Sequence, residues 1–513
     1  MLSLLHDRAR RLAAWLTRDG SLNAVSLVLP LGLLALFLVA RDLPVVDLPQ
    51  HAAQIATWVR WDAQVPEVVG RYELNFRTPY LLAYPLARAL SPLVGAVVAL
   101  KLVVWLAVVG NQLALAGLAR RLGHDPWLAL FGTVTAMGLC FYFGFVSFML
   151  AMPLAVWSLS LALDHSRSPS LRSGALLATA LSLMLTAHGV AFVMGFGSVA
   201  LLLLRGGGAL VNRLAPLLAP VVLAVAWFAP GPVAQRIGGD AFELTPLRLL
   251  DLPALLVGMG RADHYALVLG LAVLAVTGRA LAGRLSRAPE RVLPLALLLV
   301  AYLLFPAMFR GIVLLHTRLP CFLLPLWLLA TEPAQEPAGA ARPRVRALIA
   351  ATVLVWATVL GVRLVAYNRE AAEFHALESK LPAGLAMRPL VFDRNTRAFP
   401  GVPAYLHYSA YYYVEKGGLQ GYSFAMYPLS VVRLRPEVHA TMQGGAEWRP
   451  DQFRHEEIDQ YDYFLVRSER DRSAELFASA PVVLDAHVGS WWGYKREGAA
   501  AMISASAVPA RAE

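Results

Sequence analysis

Long apolar runs alternate with short polar breaks over the first 366 residues. Runs near 23–40, 96–118, 126–145, 146–163, 171–187, 189–204, 214–230, 264–283, 291–306, 311–330 and 346–366 are each long enough, or nearly so, to cross a bilayer as a helix. The pattern predicts about eleven transmembrane helices. Residues 79–95 are also apolar, but Pro79, Pro85, Arg88 and Pro92 interrupt them, so a re-entrant or interfacial segment is expected there. Within residues 1–22, Leu4, Leu5, Leu12, Trp15 and Leu16 set against arginines read as an amphipathic helix on the cytoplasmic surface. The run at 23–40 is long for a signal peptide and no A-x-A site follows it, so it reads as a retained first span.

Arginines recur after every second run: Arg120 and Arg121, Arg167 and Arg172, Arg205 and Arg213, Arg279 to Arg291, and Arg342 to Arg346. These short loops share one face with the N-terminus, and the positive-inside rule makes that face cytoplasmic. The loop 41–95 and everything after residue 366 then lie outside. The expected organisation is a cytoplasmic segment 1–22, a transmembrane domain 23–366 with a large outer loop 41–95, and an extracytoplasmic domain 367–513. That last stretch reads as a small α/β domain. It has a helical start at Arg369–Leu381, strand-like runs at Pro389–Phe392, Tyr461–Val466 and Pro481–Leu484, and many tyrosines between Tyr405 and Tyr427.

Composition narrows the class. Of the 513 residues, 58% are hydrophobic and 15% charged, well below the quarter charged of a soluble domain. The net charge of +11 sits in the membrane part, where residues 1–367 hold 29 Lys+Arg against 16 Asp+Glu. There it reads as topology and contact with anionic lipid, not as a nucleic-acid surface. Cys140 and Cys321 fall inside apolar runs and suggest neither a disulfide framework nor a metal site. No Walker loop, GxSxG or HExxH is present, which leaves no sign of an ATP-driven pump, serine hydrolase or zincin.

Arg41–His51, directly after the first apolar run, packs two carboxylates, two prolines and a histidine into eleven residues. Pro49 is placed to open a helix through Asp62, with Asp47 at its N-terminus and His51 one turn on. A carboxylate there can act as a general base, hold a divalent cation (Mg or Mn) together with His51, or simply cap the helix; Asp42 can do the same. A second candidate is Arg310, His316 and Arg318, three anion-binding groups at the outer end of two spans, where a lipid phosphate is the natural partner. His188 lies at an outer helix junction, and Arg261 and His264 at the outer start of another span. Glu73, Arg77 and Tyr80 in the first loop mix charge with aromatic faces, as sugar binding requires.

This arrangement resembles the GT-C superfamily of integral-membrane glycosyltransferases, in its bacterial protein mannosyltransferase and aminoarabinose transferase branch. The resemblance rests on the architecture, on Asp47-Leu48-Pro49-Gln50-His51, on His188, and on Tyr461-Asp462-Tyr463-Phe464-Leu465-Val466. It implies a polyprenyl-phosphate-linked sugar donor and a lipid, glycan or protein acceptor. It also implies an enzyme in the bacterial inner membrane whose first-loop carboxylate, Asp47 with Asp42 as rival, is base or metal ligand. Leu48 stands where the mannosyltransferases carry a second acid. The rival classes are a transporter or flippase of lipid-linked substrates, and a non-catalytic envelope assembly protein.

Overall fold

Among the described residues six helices are long and apolar enough to cross a membrane: Gly20–Val39, Ala83–Leu122, Pro126–Phe143, Val146–Arg167, Leu210–Trp227 and Arg342–Glu378. Three shorter apolar helices, Leu171–Ala187, Gly189–Leu203 and His264–Ala280, add to them. The chain is therefore a polytopic helical membrane protein. The computed structural model describes residues 19–228, 247–309, 312–333, 341–441, 447–478 and 480–498. The segment expected to lie on the cytoplasmic surface at 2–18, and Arg310, fall outside these.

The described residues form two compact units. One holds residues up to 39, 77–83 and 102–361; the other holds 40–76, 84–101 and 362 onward.

In the first unit, Val146–Arg167 packs against Leu171–Ala187 and Gly189–Leu203. It is an interior helix, with 83% of its most apolar window buried, whereas Gly20–Val39 buries only 22% and leaves an apolar surface suited to lipid. Pro30 lies inside that first helix and has no N–H, so the Ser26 carbonyl loses its helical donor. Gln112 Nε2 donates to that carbonyl at 3.4 Å, and Trp105 Nε1 donates to the Pro30 carbonyl at 2.9 Å. Gly270 is required by close approach: a Cβ there would meet the Pro253 carbonyl oxygen at 1.8 Å.

The arginine-bearing loops gather at one end of this unit. Arg121 pairs with Asp164 at 2.9 Å, Arg346 with Asp125 at 2.8 Å and Arg291 with Glu332 at 2.9 Å. His124 Nε2 bridges to the Leu328 and Thr331 carbonyls at 3.0 and 3.2 Å. Leu171–Ala187 starts from this end, so His188 lies at the other, some 25 Å away along a helix of this length.

Two sequence expectations change here. Residues 83–94 are helical and continue into the next span across a kink at Gly95, whose φ of 79° is open to glycine. The apolar run 311–330 is not one helix. It is a strand β3 (Ile312–Val313) paired with β2 (Met308–Phe309), a 3₁₀ segment His316–Phe322 and a short helix Leu323–Ala330. Pro320 and Pro325 lie within these two helical segments, and a long unbroken helix cannot carry two prolines so close together cheaply.

The second unit is built on a five-stranded sheet. Its strands are β4 (Ala386–Val391), β5 (Leu419–Gln420), β7 (Tyr463–Arg467), β8 (Val482–Val488) and β9 (Trp491–Arg496), in the order β5-β4-β7-β9-β8. β4 runs parallel to β5 and β7, and β9 antiparallel to β7 and β8. β4 and β7 are buried throughout, as central parallel strands covered on both faces should be. Leu390, Phe464, Val466, Phe477 and Tyr494 form the core on one side. The helix Leu48–Asp62 packs along Ser409–Lys416, and β1 (Tyr72–Leu74) pairs antiparallel with β6 (Val432–Leu434). The helical start expected at 369 is the continuation of the last span: Ala341–Glu378 is a single 38-residue helix. At 1.5 Å per residue it is about 57 Å long, well beyond the ~30 Å hydrocarbon core.

Candidate functional site

The loop opening at Arg41 is fixed by its apolar residues. Leu43, Val45, Val46 and Leu48 are fully buried, and Val45 N–H closes a tight turn on the Leu43 carbonyl at 2.7 Å. Lys101 Nζ donates to the Ala40 and Arg41 carbonyls at 2.6 and 2.8 Å. Pro49 then starts the helix Leu48–Asp62 as expected.

Asp47 stands at the N-cap of that helix, but its side chain makes no capping hydrogen bond. The carboxylate is buried and turns to His407, with Oδ1 3.5 Å from Nε2. On the other side of the ring, Nδ1 is hydrogen-bonded to Glu447 Oε1. Glu447 is wholly buried and its second oxygen accepts from Ser409 Oγ at 3.1 Å. The His407 ring stacks on Tyr422, 5.5 Å between centroids and 6° from parallel, with Phe424 and Trp448 edge-on. Burial alone would drive the imidazole to its neutral form, but the charges and hydrogen bonds of Glu447 and Asp47 outweigh it and hold the His407 pKa up at about 9. Burial pushes the neighbouring Tyr422 hydroxyl well up, so it stays neutral.

Gln50 ties the helix to the segment carrying Tyr422. Its Oε1 accepts from Phe424 N–H at 3.1 Å and its Nε2 donates to the Tyr422 carbonyl at 3.3 Å. Further along, Arg60 donates to the Tyr413 and Val414 carbonyls at the end of Ser409–Lys416, at 3.1 and 2.8 Å. His51 follows Asp47 by one turn but points elsewhere: Nδ1 lies 2.7 Å from the Tyr84 hydroxyl, and the ring meets Phe424 edge-on.

Asp42 has a separate partner set. Its Oδ2 is 2.7 Å from His375 Nε2, and His375 Nδ1 is 3.0 Å from Glu378 Oε2. Asn368 clamps the Asp42 backbone from both sides, accepting from its N–H at 2.9 Å and donating to its carbonyl at 3.0 Å.

In the first unit, Arg318 and His188 come together, 3.2 Å between Nη1 and Nε2. The guanidinium lies on the Phe145 ring, 3.6 Å from its centroid, a close cation–π contact. Its Nη2 donates to the Val313 carbonyl at 2.9 Å. Tyr80 and Phe148 meet the His188 ring edge-on at 5.1 and 4.8 Å. Val190 N–H lies 3.2 Å from His188 Nδ1. A neutral imidazole accepts at one nitrogen only, so the ring serves either Val190 or Arg318. Both cysteines lie behind this arginine, Cys321 Sγ 3.0 Å and Cys140 Sγ 3.9 Å from the Arg318 carbonyl oxygen.

The remaining candidates are dispersed. His316 opens the 3₁₀ segment beside Tyr302. Arg261 pairs with Asp251 at 2.5 Å on an exposed surface, and His264 is exposed next to Asp263, which caps its helix. Glu73 pairs with Arg433 across the β1–β6 ladder at 2.5 Å, Arg77 is exposed, and Tyr80 reaches the His188 ring.

A divalent cation at Asp47 does not fit this donor set. The imidazole expected to help, His51, is engaged with Tyr84, and the one present, His407, has both nitrogens facing carboxylates. Among the described residues no group of three or more His, Cys, Asp or Glu could hold a metal ion. His407 and Glu447 were not legible from the sequence, because no spacing marks a contact between residues some 360 apart. His375 and Glu378 left a weak trace, an i, i+3 pair on a helix.

No family model and no curated protein matches the chain. Solved structures do. ArnT from Cupriavidus metallidurans bound to undecaprenyl phosphate aligns at 11% identity with a TM-score of 0.58, over 94% of this chain and 99% of that one. The apo form of ArnT aligns at 12% identity and 0.54, over 93% and 97%. The arabinofuranosyltransferase AftD from mycobacteria aligns at 17% identity and 0.51, over 92% of this chain and 40% of that one. The chain therefore shares its overall fold with ArnT and with AftD.

Proposed function

We propose that the chain is a membrane glycosyltransferase that moves a sugar from a polyprenyl-phosphate carrier to an acceptor hydroxyl on the outer face of the cytoplasmic membrane, with Asp47 as general base. The observation that carries the reading is that Asp47 sits at a helix N-terminus, buried, and is held by an imidazole instead of capping the helix. The shared fold with a structure holding undecaprenyl phosphate supports the donor class.

The acceptor oxygen attacks the anomeric carbon, the bond from that carbon to the phosphate oxygen breaks, and the electron pair leaves with the phosphate. The hydroxyl proton goes to Asp47, whose Oδ2 is left for it when Oδ1 faces His407. Attack opposite the leaving group inverts the anomeric centre. Arg318 is assigned to the carrier's phosphate: its planar fork suits phosphate, and its stacking on Phe145 fixes its orientation. Arg310 and His316 are assigned to the same headgroup, Glu73, Arg77 and Tyr80 to sugar or acceptor binding, and the tail with its tyrosines to acceptor selection. Asp42, closed in by His375 and Asn368, is a structural residue in this reading.

The test uses the full chain in nanodiscs, undecaprenyl phosphate as binding probe and a panel of radiolabelled undecaprenyl-phosphate sugars as donors. Asp47→Asn should retain binding and lose transfer. Unchanged transfer by Asp47→Asn removes it from the mechanism. Absence of transfer from every donor, with passage of lipid-linked substrate across proteoliposomes, replaces the enzyme by a transporter.

A further inference from the structure

Three buried ionisable side chains stand in a row in the second unit, Asp47, His407 and Glu447, and the proposed reaction uses only the first. The other two come from distant parts of the chain, and no sequence pattern announces them. Resting on the reading of Asp47 as base, we infer that His407 and Glu447 are positioning residues that act through Asp47: His407 fixes the carboxylate that receives the proton, and Glu447 holds His407 in place and offsets its charge.

The geometry gives each member one task. His407 is clamped on every side: Tyr422 stacks on its face, Phe424 and Trp448 close its edges, and each nitrogen faces a carboxylate. Such a ring has one orientation. It presents Nε2–H to Asp47 Oδ1 and so fixes the rotamer of the carboxylate. Its charged form is the stable one, because two carboxylates offset the cost of burying it. A lone imidazolium at this place would be a poor neighbour for a base, since a cation within about 4–6 Å lowers carboxylate basicity by one to three pH units. Glu447 answers this. It is wholly buried, hydrogen-bonded to Nδ1 and anchored by Ser409, so the His407–Glu447 pair is neutral as a unit.

The row therefore carries one net negative charge, and taking a proton from the acceptor brings it to zero. Tyr422 faces the ring but stays neutral, and His51, one turn from Asp47, is occupied with Tyr84. The charge count thus rests on three groups, and it changes in opposite directions when either outer partner is removed. Without Glu447 the row is neutral, and a proton on Asp47 makes a buried cation. Without His407 the row carries two negative charges, and a proton is welcomed.

The experiment is the pH dependence of transfer by the full chain in nanodiscs, for wild type, Glu447→Gln and His407→Gln, with Asp47→Asn as control. The acidic limb of kcat should move down by about one pH unit in Glu447→Gln and up by about one in His407→Gln. Both should lower the plateau of kcat about tenfold or more with little change in KM for the donor, and Glu447→Asp should recover part of the loss. A structural role alone would move both limbs the same way or neither. If Asp47→Asn abolishes transfer while both limbs stay in place, the positioning role is overturned and the base survives. If Asp47→Asn leaves transfer intact, the underlying reading fails first. A variant that does not fold is recognised by loss of the thermal transition, and His407→Asn then replaces His407→Gln.

Discussion

Asp42 Oδ2 lies 2.7 Å from His375 Nε2, and five residues later Asp47 repeats the arrangement with His407. In both cases a glutamate, Glu378 or Glu447, holds the second imidazole nitrogen. One short loop thus sends two carboxylates into two buried carboxylate–imidazole–carboxylate rows. They differ in their surroundings. Asn368 clamps the Asp42 backbone as well, whereas Asp47 stands at the open end of a helix it does not cap.

Asp42→Ala should therefore act on stability. Removing one member of a buried ion pair costs about 3–5 kcal/mol, because the partner is left buried without its counter-charge. Thermal unfolding in detergent should show the loss, while the molecules that remain folded transfer sugar at the wild-type rate. A selective loss of transfer at unchanged stability would move the catalytic role to Asp42.

His407 makes stability depend on pH with a defined sign. Its pKa is raised in the folded chain to about 9, against about 6.5 when unfolded, so the folded state binds the proton more tightly. That contribution is fully present below about pH 6.5 and is lost as pH rises through about 9. The unfolding temperature should fall across this window, and His407→Gln should flatten the fall. A decline of equal steepness in His407→Gln would assign it to other groups.

Arg318→Lys keeps the charge but loses the planar fork and most of the contact with Phe145. Binding of undecaprenyl phosphate, read by scintillation proximity on nanodiscs, should weaken roughly tenfold, about 1.4 kcal/mol. Affinity equal to wild type would show that charge alone is enough.

The contact of Gly270 with Pro253 sets a steric limit. Gly270→Ala should lower the unfolding temperature markedly, since a Cβ 1.8 Å from a carbonyl oxygen forces the two helices apart. Gly361→Ala is the control: nothing lies within 4 Å of its would-be Cβ, and alanine should hold or raise stability by up to about 1 kcal/mol. Equal effects at both positions would remove the packing argument.

The sequence by itself determined what depends on neighbours along the chain. Apolar runs of spanning length make membrane helices because lipid leaves the backbone no partner but itself. The recurring arginines marked loops that gather at one end, where His124 and the pairs Arg121–Asp164, Arg346–Asp125 and Arg291–Glu332 link them. Pro49 opened its helix as read, and β-branched and aromatic runs foretold β4, β7 and β8. The sequence also singled out Asp47, Arg318 and His188, each polar where polarity is costly. Only the tertiary structure decided what these groups face. Capping was the local reading of Asp47, and it yields to an imidazole some 360 residues away. His51, its neighbour by helical spacing, goes instead to Tyr84. Periodicity reports which face of an element is buried, but not which side chain from elsewhere meets it there. For a buried carboxylate that partner settles both charge and orientation.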